Sequence, residues 1–314
     1  MRRLLGCRVL VLVCFGSVVA APQVGRAMPA AVLAPPAGEV LQVLITTAEL
    51  VVGQNRFAFG LLKEHQLLED AQAVVRVYAL EGQHGQLQTE VPASYARLEV
   101  VEQGHRVHVH PDGTRHVHQE ATDVRGIYVA QLPVARPGPW GLEVRARQGN
   151  GATEVARLTV QVLAASSTPA LGTPAPRSHN RIARDVPDVR DIDTSDPPDP
   201  RLHQVRIAEA IAQGTPQVIV FATPKFCTSR VCGPVVDIVR LLLPTYSDRV
   251  VFTHQEIWQD VTTQRVSPTV EEWRLHSEPW IFVVDGQGII RTKFEGLTTA
   301  REIATALQQM LDPQ

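Results

Sequence analysis

Two cysteines lie five positions apart in the segment 217–239, which reads QVIVFATPKFCTSRVCGPVVDIV. The nearly all-apolar residues 217–222 are typical of a strand that is covered on both faces, and the residues after Cys232 are typical of a helix. Cys227 therefore lies just after a strand and at or before a helix start, where backbone N–H groups and the helix dipole stabilise a thiolate. We predict a redox pair in which Cys227 attacks a disulfide and Cys232 resolves the mixed disulfide. A structural cysteine pair without an exchange role is the alternative.

The Cys-x4-Cys spacing restricts how this pair can join. In an unbroken helix, residues five apart have Cα atoms about 8–9 Å from each other, whereas a disulfide needs Cα atoms within about 7 Å. Cys227 and Cys232 can therefore form a disulfide only if the turn between them is not helical. Gly233 and Pro234 assist such a turn, because Gly permits unusual dihedral angles and Pro cannot donate a helical hydrogen bond. We predict that oxidation reshapes the start of the helix.

Five histidines crowd the segment 105–118, and the Pro-Asp-Gly sequence at 111–113 is typical of a three-residue hairpin loop. Such a loop pairs His108 with His116 and puts four histidines on one face of the hairpin, because strand side chains alternate. Neutral imidazoles grouped in this way bind Cu, Zn or Ni. The predicted metal ligands are His108, His110, His116 and His118. A polar, His-rich surface without metal is the alternative.

The N-terminus has the pattern of a secretory signal peptide. Two arginines precede an apolar run over residues 9–19, and Ala20 and Ala21 offer a cleavage site. The predicted signal peptide spans residues 1–21, and an uncleaved membrane anchor is the alternative. The run is shorter than the about 20 apolar residues of a membrane span. We therefore expect an exported protein, periplasmic, at the cell surface or extracellular, which contacts a membrane only if the anchor is kept.

Export changes how the cysteines are interpreted. The chain has four cysteines, and Cys7 and Cys14 would leave with the signal peptide. A single remaining pair in a large exported chain is typical of redox chemistry rather than of a stabilising disulfide framework. The 314 residues are 44% hydrophobic and 20% charged, with a net charge of -2. This composition is ordinary for a globular protein and lacks the basic surface of a nucleic-acid-binding protein, so we expect no nucleic-acid partner.

The hydrophobic pattern divides the chain beyond the signal peptide into four parts. Residues 22–40 are rich in Ala and Pro and predict a flexible tether. Residues 41–163 contain many short alternating runs, which predict an all-β, antiparallel, immunoglobulin-like sandwich without the Cys…Trp…Cys spacing of antibody domains. Residues 164–200, rich in Ser, Pro and Asp, predict a disordered linker. Residues 201–314 predict a second, α/β domain with the element order α-β-α-β-α-β-β-α.

The strand, the cysteine-bearing turn and the later segment 276–296, HSEPWIFVVDGQGIIRTKFEG, resemble the thioredoxin superfamily, especially its exported TlpA-like branch. The resemblance covers roughly residues 203–314. It implies an α/β thioredoxin-like fold, protein thiols and disulfides as partners, and no required cofactor. It also implies that Pro279 is a cis-proline facing the active cysteine, and that Pro279 and the adjacent Trp280 contact substrate. The strand 218–221 lacks the buried Asp that thioredoxin carries there.

Two other functions fit parts of the same pattern. Sco-type thioredoxin-fold proteins ligate copper with Cys and His, and a resemblance to them implies copper handling, although their spacing is Cys-x3-Cys. Atypical peroxiredoxins carry a Thr-Pro-x-Cys-Thr segment, which Thr223, Pro224 and Cys227 match except for one extra residue. Thiol–disulfide exchange is therefore the predicted function, with metal handling by copper or zinc and peroxide reduction as alternatives.

Overall fold

The structure is a computed structural model of the chain. Its described residues are 41–64, 66–82, 84–99, 106–109, 115–118, 125–227, 229, 231–260, 263 and 265–312, of which 106–109 and 115–118 are described as backbone. The predicted signal peptide and tether, residues 1–40, lie outside this range. Within the described ranges, no helix is long and apolar enough to span a bilayer.

The first part of the described chain consists of β-strands. They are β1 (Gln42–Ile45), β2 (Leu50–Val51), β3 (Gly53–Lys63), β4 (Gln66–Leu67), β5 (Gln72–Glu81), β6 (His84–Arg97), β7 (Arg106–Val109), β8 (Arg115–His118), β9 (Gly126–Val134), β10 (Gly138–Arg147) and β11 (Glu154–Leu163). One sheet has the strand order β1-β3-β9-β6-β5-β10-β11-β2, with β4 paired to β3. Its pairs are antiparallel except for that of β11 with β2. The prediction of a β-rich, mainly antiparallel region is confirmed.

This sheet curls back on itself, because β2 and β3 are consecutive in the chain but far apart in the strand order. Only Val52 separates them. Asn55 bridges the two strands, since its side chain accepts from the N–H of Val51 at 2.8 Å and donates to the carbonyl of Val51 at 2.7 Å. Fully buried rings, among them Phe57 and Trp140, fill the interior. The strand order thus shows one curled sheet in place of the predicted two-sheet sandwich. Side chains alternate between the inside and the outside in both arrangements, so the hydrophobic pattern of the sequence does not distinguish them.

Strand β6 is not predicted by the sequence pattern, although it has 14 residues. Its sequence contains Gly85 and Pro92 and is largely polar, and these features weaken a strand signal. Most of its side chains are exposed, yet β5 and β9 pair with it on its two sides. Its backbone pairing, and not its hydrophobicity, therefore makes it a strand.

Strands β7 and β8 form a hairpin of their own. Their register pairs His108 with His116 and Arg106 with His118, which is the register predicted from a three-residue loop. His110 lies outside the described residues. The proposed grouping of the four histidines rests on side chains beyond the described part of the structure, so the metal site stays a prediction.

The segment 164–200 is folded, which corrects the prediction of a disordered linker. It and the residues after it contain three short 3-10 helices, at Ala183–Asp185, Val189–Asp191 and Pro200–His203. Three side-chain hydroxyls near its start, together with Lys293, hydrogen-bond to Glu49. Burial alone would raise the pKa of Glu49, but these bonds lower it to about 2. The polar composition predicts disorder because it offers little apolar surface, whereas here polar groups bond to one another inside the fold.

Beyond residue 200 the chain alternates helices and strands. The helices are α1 (Ile207–Ala212), α2 (Cys232–Arg240), α3 (Leu243–Tyr246), α4 (Pro268–Glu272) and α5 (Ala300–Leu311), and the strands are β12 (Gln217–Phe221), β13 (Val251–Gln255), β14 (Trp258–Asp260), β15 (Arg265–Val266), β16 (Trp280–Val284) and β17 (Ile290–Glu295). Four strands form a sheet in the order β13-β12-β16-β17, with β12 and β13 parallel and the other pairs antiparallel. The predicted order agrees with this series, except that it lacks the short α3 and the small β14–β15 hairpin.

Helices cover both faces of this four-stranded sheet. Val218 and Val220 pack with α2 and α5 on one face, whereas Ile219 and Phe221 pack with α1 and with Trp273 beside α4 on the other. Covering both faces explains why β12 and β16 are buried along their length and apolar except for Gln217. The central strand β12 ends at Phe221, and the cysteine-bearing turn starts just beyond it.

The curled sheet packs directly against the α/β part. Ala58 and Ile127 belong to the same apolar core as α2 and α5. Arg56 makes two hydrogen bonds to the Glu302 carboxylate, at 2.7 and 2.9 Å. Gly296 lies so close to the curled sheet that a Cβ added there would be 2.1 Å from a backbone oxygen. The β-rich part and the α/β part, which the sequence pattern distinguishes, are therefore packed against each other.

Candidate redox site

A disulfide joins Cys227 and Cys232, whose Cα atoms lie 6.0 Å apart. Helix α2 begins at Cys232, so Cys227 lies before the helix, as the spacing requires of a disulfide. Cys232 is fully buried and Cys227 is partly exposed. A partner therefore reaches the sulfur of Cys227 first. The helix starts five residues later than Cys227, so the helix dipole acts most directly on Cys232, which differs from the sequence-based expectation.

The loop before the disulfide exposes an aromatic ring. Phe226 keeps 43% of its surface exposed, and the ammonium of Lys225 lies 5.6 Å from the ring centre. An exposed ring beside an accessible cysteine offers apolar contact area to a polypeptide partner. Sequence reasoning missed Phe226, because one aromatic residue in a loop has no periodicity to reveal it.

A carboxyl group lies close to the two sulfurs. Glu278 and the two cysteines place a carboxylate oxygen and both Sγ atoms within 4.8 Å of one another. The backbone N–H of Thr223 donates to Glu278 Oε2 at 2.7 Å and anchors the carboxyl group there. Burial raises the pKa of Glu278 to about 7, and the charge of nearby Glu256 adds to the shift. Strand β12 carries no acid, but Glu278 supplies one from the loop before β16.

A second buried carboxyl group, that of Glu256, follows β13. The Thr223 hydroxyl accepts from the N–H of the next residue, Ile257, at 3.1 Å. Glu256 Oε1 accepts from the N–H of Thr194 at 2.6 Å. Burial raises the pKa of Glu256. Neither glutamate is marked by a motif, since they come from different loops and meet only through the folded sheet.

A buried histidine, His254, lies next to Glu256. His254 Nε2 is 3.0 Å from the carbonyl oxygen of Ala222, and Nδ1 is 3.4 Å from Asp193 Oδ1. The carbonyl oxygen of Ala222 can only accept, so Nε2 carries a proton, whereas Nδ1 lies near the Asp193 carboxylate without a hydrogen bond to it. Burial opposes a charge on the ring, but Asp193 and Glu256 raise the pKa of His254. No sequence motif marks His254, whereas the structure gives it a fixed place through Ala222 and Asp193.

The cluster of Asp193, His203 and His254 is buried, and its donor atoms lie within 4.8 Å of one another. The Asp193 carboxylate already accepts from two backbone N–H groups of its own segment, each at 2.9 Å, and lies 3.1 Å from His203 Nε2. Burial would raise the pKa of Asp193, but its hydrogen bond with His203 and the nearby charge of His254 lower it. With its oxygens engaged in this way, Asp193 ties the segment before α1 to β13, and we assign the cluster a structural role.

The bond between Glu278 and Pro279 is cis, as predicted. The carbonyl of Pro279 accepts from the N–H of Gly296 at 2.9 Å, so this group is already paired. Trp280 is only 3% exposed, and its indole N–H donates to the hydroxyl of Ser277 at 2.9 Å. The predicted substrate contact by Trp280 is therefore corrected: its ring lies in the core, because β16 is an inner strand that is covered on both faces.

A polar pocket of about 240 Å³ lies beside His254 and Glu256. Its lining also includes Arg181 and Trp258, but neither cysteine. The disulfide thus lies outside this pocket, at a surface that a large partner can approach.

Comparisons with known proteins do not assign the chain to a family. No protein-family model matches it, and no curated protein matches it. Among solved structures, the crystal structure of a DUF4426 family protein from Pseudomonas aeruginosa is similar over 40% of this chain and 91% of that chain, with 8% sequence identity and a TM-score of 0.23. A TM-score this low supports no argument about fold or function.

Proposed function

We propose that the chain is an extracytoplasmic thiol–disulfide oxidoreductase with a thioredoxin-like C-terminal part. The observation that carries the proposal is the asymmetric disulfide, in which Cys227 is accessible and Cys232 is buried at the start of α2. The strand order β13-β12-β16-β17, with helices on both faces and a cis-proline before β16, supports the fold. The exported location rests on the predicted signal peptide, residues 1–21.

The reaction uses the two sulfurs in sequence. The thiolate of Cys227 attacks one sulfur of a partner disulfide, and the other partner sulfur leaves as a thiolate. Cys232 then attacks Cys227 Sγ, the bond from Cys227 to the partner breaks, and the second partner sulfur leaves. The partner disulfide is reduced, and the dithiol of this protein is oxidised to its own disulfide. The same steps in reverse oxidise a partner dithiol.

Trapping the mixed disulfide tests this proposal. Every protein in the test carries Cys7→Ser and Cys14→Ser, so that only the candidate pair can react. With a peptide disulfide as the partner, Cys232→Ser accumulates a covalent adduct through Cys227, whereas Cys227→Ser forms no adduct and shows no turnover. Turnover that survives Cys227→Ser contradicts the proposal. Rapid consumption of peroxide by the parent protein, without peptide disulfide turnover, would favour the thiol peroxidase alternative.

The same groups favour a second candidate function, which is metal handling. After reduction, two thiolates and the Glu278 carboxylate offer three donors within 4.8 Å, and thiolates suit Cu(I) and Zn. Titration of the reduced protein with Cu(I) or Zn should then show binding that is lost in Cys227→Ser and weakened in Glu278→Gln. The same titration on the oxidised protein tests the predicted histidine site separately, because the disulfide removes both thiolates.

A further inference from the structure

The proposed redox reaction makes no use of the polar pocket of about 240 Å³ beside Glu256. Liquid water occupies about 30 Å³ per molecule, so this volume is that of about eight water molecules. A small molecule with a similar number of non-hydrogen atoms therefore fits. Parts of the chain that are distant in sequence enclose the pocket, namely residues 179–181 and 191–192 before α1, residues 254–256 and 258–259 in and after β13, and residues 267–269 at the start of α4.

Charged side chains of both signs line this pocket. Arg181 and Asp191 are exposed there, and Glu256, which is 6% exposed, adds a buried carboxyl group. Among the residues that the structure describes, neither the Arg181 guanidinium nor the Asp191 carboxylate has an ion-pair or hydrogen-bond partner. The opposite charges of the pocket therefore do not pair with each other, and both can bind a ligand that carries complementary charges.

The uncharged lining offers further contacts to the same ligand. Trp258 is partly buried and packs against an apolar core. Its indole N–H and the hydroxyl of the buried Thr269 make no hydrogen bond within the described part of the chain. Ile192 is another apolar residue of the lining. An apolar group of a ligand can thus lie against Trp258 and Ile192, while its polar groups meet free hydrogen-bonding groups.

We propose that this pocket binds a free amino acid as a zwitterion, with the ligand carboxylate at Arg181 and the ligand ammonium group at Asp191 and Glu256. A guanidinium holds a carboxylate through two parallel hydrogen bonds. A simple amine leaves Arg181 without a partner, and a simple carboxylic acid brings a third negative charge beside the two carboxyl groups. This site goes beyond the proposed redox function and does not depend on it, because the pocket contains neither cysteine.

Isothermal titration calorimetry of the oxidised protein tests the site. The protein carries Cys7→Ser and Cys14→Ser, and the probes are the twenty common L-amino acids. At least one of them should bind at a single site with a Kd below about 1 mM. Two analogues of the best binder, the amine without the carboxylate and the acid without the amino group, should each bind at least about tenfold more weakly, because each loses a charge-assisted contact. The proposal is overturned if no amino acid binds up to about 10 mM, or if either analogue binds as tightly as the amino acid.

Two matched pairs of variants locate the binding, and all four positions are exposed. Arg181→Gln should weaken binding of the amino acid by at least about tenfold and leave binding of the amine analogue unchanged, because that analogue has no carboxylate. Asp191→Asn should weaken binding of both the amino acid and the amine. The controls Arg177→Gln and Asp248→Asn remove the same charges outside the lining and should change neither affinity. A loss that is equal in a variant and its control overturns the assignment.

Tryptophan fluorescence at a saturating concentration of the amino acid gives a second readout. Trp258 lines the pocket, whereas Trp140, Trp273 and Trp280 are at most 3% exposed. Binding should therefore change the emission mainly through Trp258, and most of that change should be lost in Trp258→Phe. An undiminished change in this variant places the amino acid elsewhere and overturns the assignment. None of these results affects the oxidoreductase proposal, which is tested separately by trapping at Cys227.

Discussion

Replacing Glu278 by Gln should make the oxidised protein less sensitive to alkaline pH. The pKa of Glu278 is raised from 4.5 to about 7, chiefly by burial. The native state therefore keeps a proton that the unfolded chain has already lost, so this group's contribution to the free energy of unfolding is fully present below about pH 4.5 and declines as the pH rises towards about 7. Gln carries no such proton, and its amide oxygen can still accept from the N–H of Thr223.

The size of the effect follows from the same shift. Each pKa unit corresponds to about 1.4 kcal/mol, so the full shift would be worth about 3 kcal/mol. Glu278 is partly exposed, and solvent screening reduces this value to about 1–2 kcal/mol. Between about pH 5 and 8, the parent protein should lose that much more stability than Glu278→Gln.

Urea unfolding of the oxidised proteins at both pH values measures this difference. Glu271→Gln serves as the control, because it removes a carboxyl group at an exposed position of α4. The two proteins compared share all other titrating groups, so those contributions cancel to first order. Equal pH dependence in the parent and Glu278→Gln proteins would refute the reasoning, and so would an equal effect of Glu271→Gln.

Three further predictions concern the turn and the junction between the two sheets. Amide hydrogen exchange over residues 226–236 should differ between the oxidised and reduced proteins, because the disulfide holds the turn outside the helix; identical protection in both states would contradict this. Arg56→Ala should lower the free energy of unfolding by about 2–4 kcal/mol at neutral pH, because it leaves the partly buried Glu302 carboxylate without its charged partner. The pairing with Arg56 lowers the pKa of Glu302, so the decrease in the free energy of unfolding should become smaller as Glu302 is protonated in acid. A decrease that does not depend on pH in urea unfolding would argue against the pairing. Gly296→Ala should lower the free energy of unfolding by at least about 2 kcal/mol, because φ at this position is +71° and the new Cβ would lie 2.1 Å from the carbonyl oxygen of Thr46. A decrease below about 1 kcal/mol in urea unfolding would show that the junction can relax.

Local pattern predicts the elements of the α/β part well. The apolar run of β12 and the Ser-Pro start of α4 each carry their signal within a few neighbouring residues. The same reasoning fails for β6, whose polar sequence forms a strand because β5 and β9 both pair with it. It also fails for the segment 164–200, whose order comes from hydrogen bonds to distant side chains.

The candidate redox site also combines features that the sequence predicts with features that it does not. The sequence predicts Cys227 and Cys232 as a pair, and their spacing alone requires a non-helical turn, because bond geometry limits the reach of a disulfide. It also predicts the cis bond at Pro279, through the resemblance of that segment to thioredoxins. It does not predict that a Glu278 carboxylate oxygen lies within 4.8 Å of both sulfurs, or that Trp280 is buried in the core.

The sequence by itself therefore determined which atoms can undergo redox chemistry, since thiols, their spacing and the strand-to-helix change are local properties of the chain. Only the tertiary structure decided which charged groups lie close to those sulfur atoms. Glu256, Glu278 and His254 come from two loops and a neighbouring strand, and their shifted acidities arise from burial and mutual charge. Both causes depend on distances through space, and a linear pattern of residues does not contain those distances.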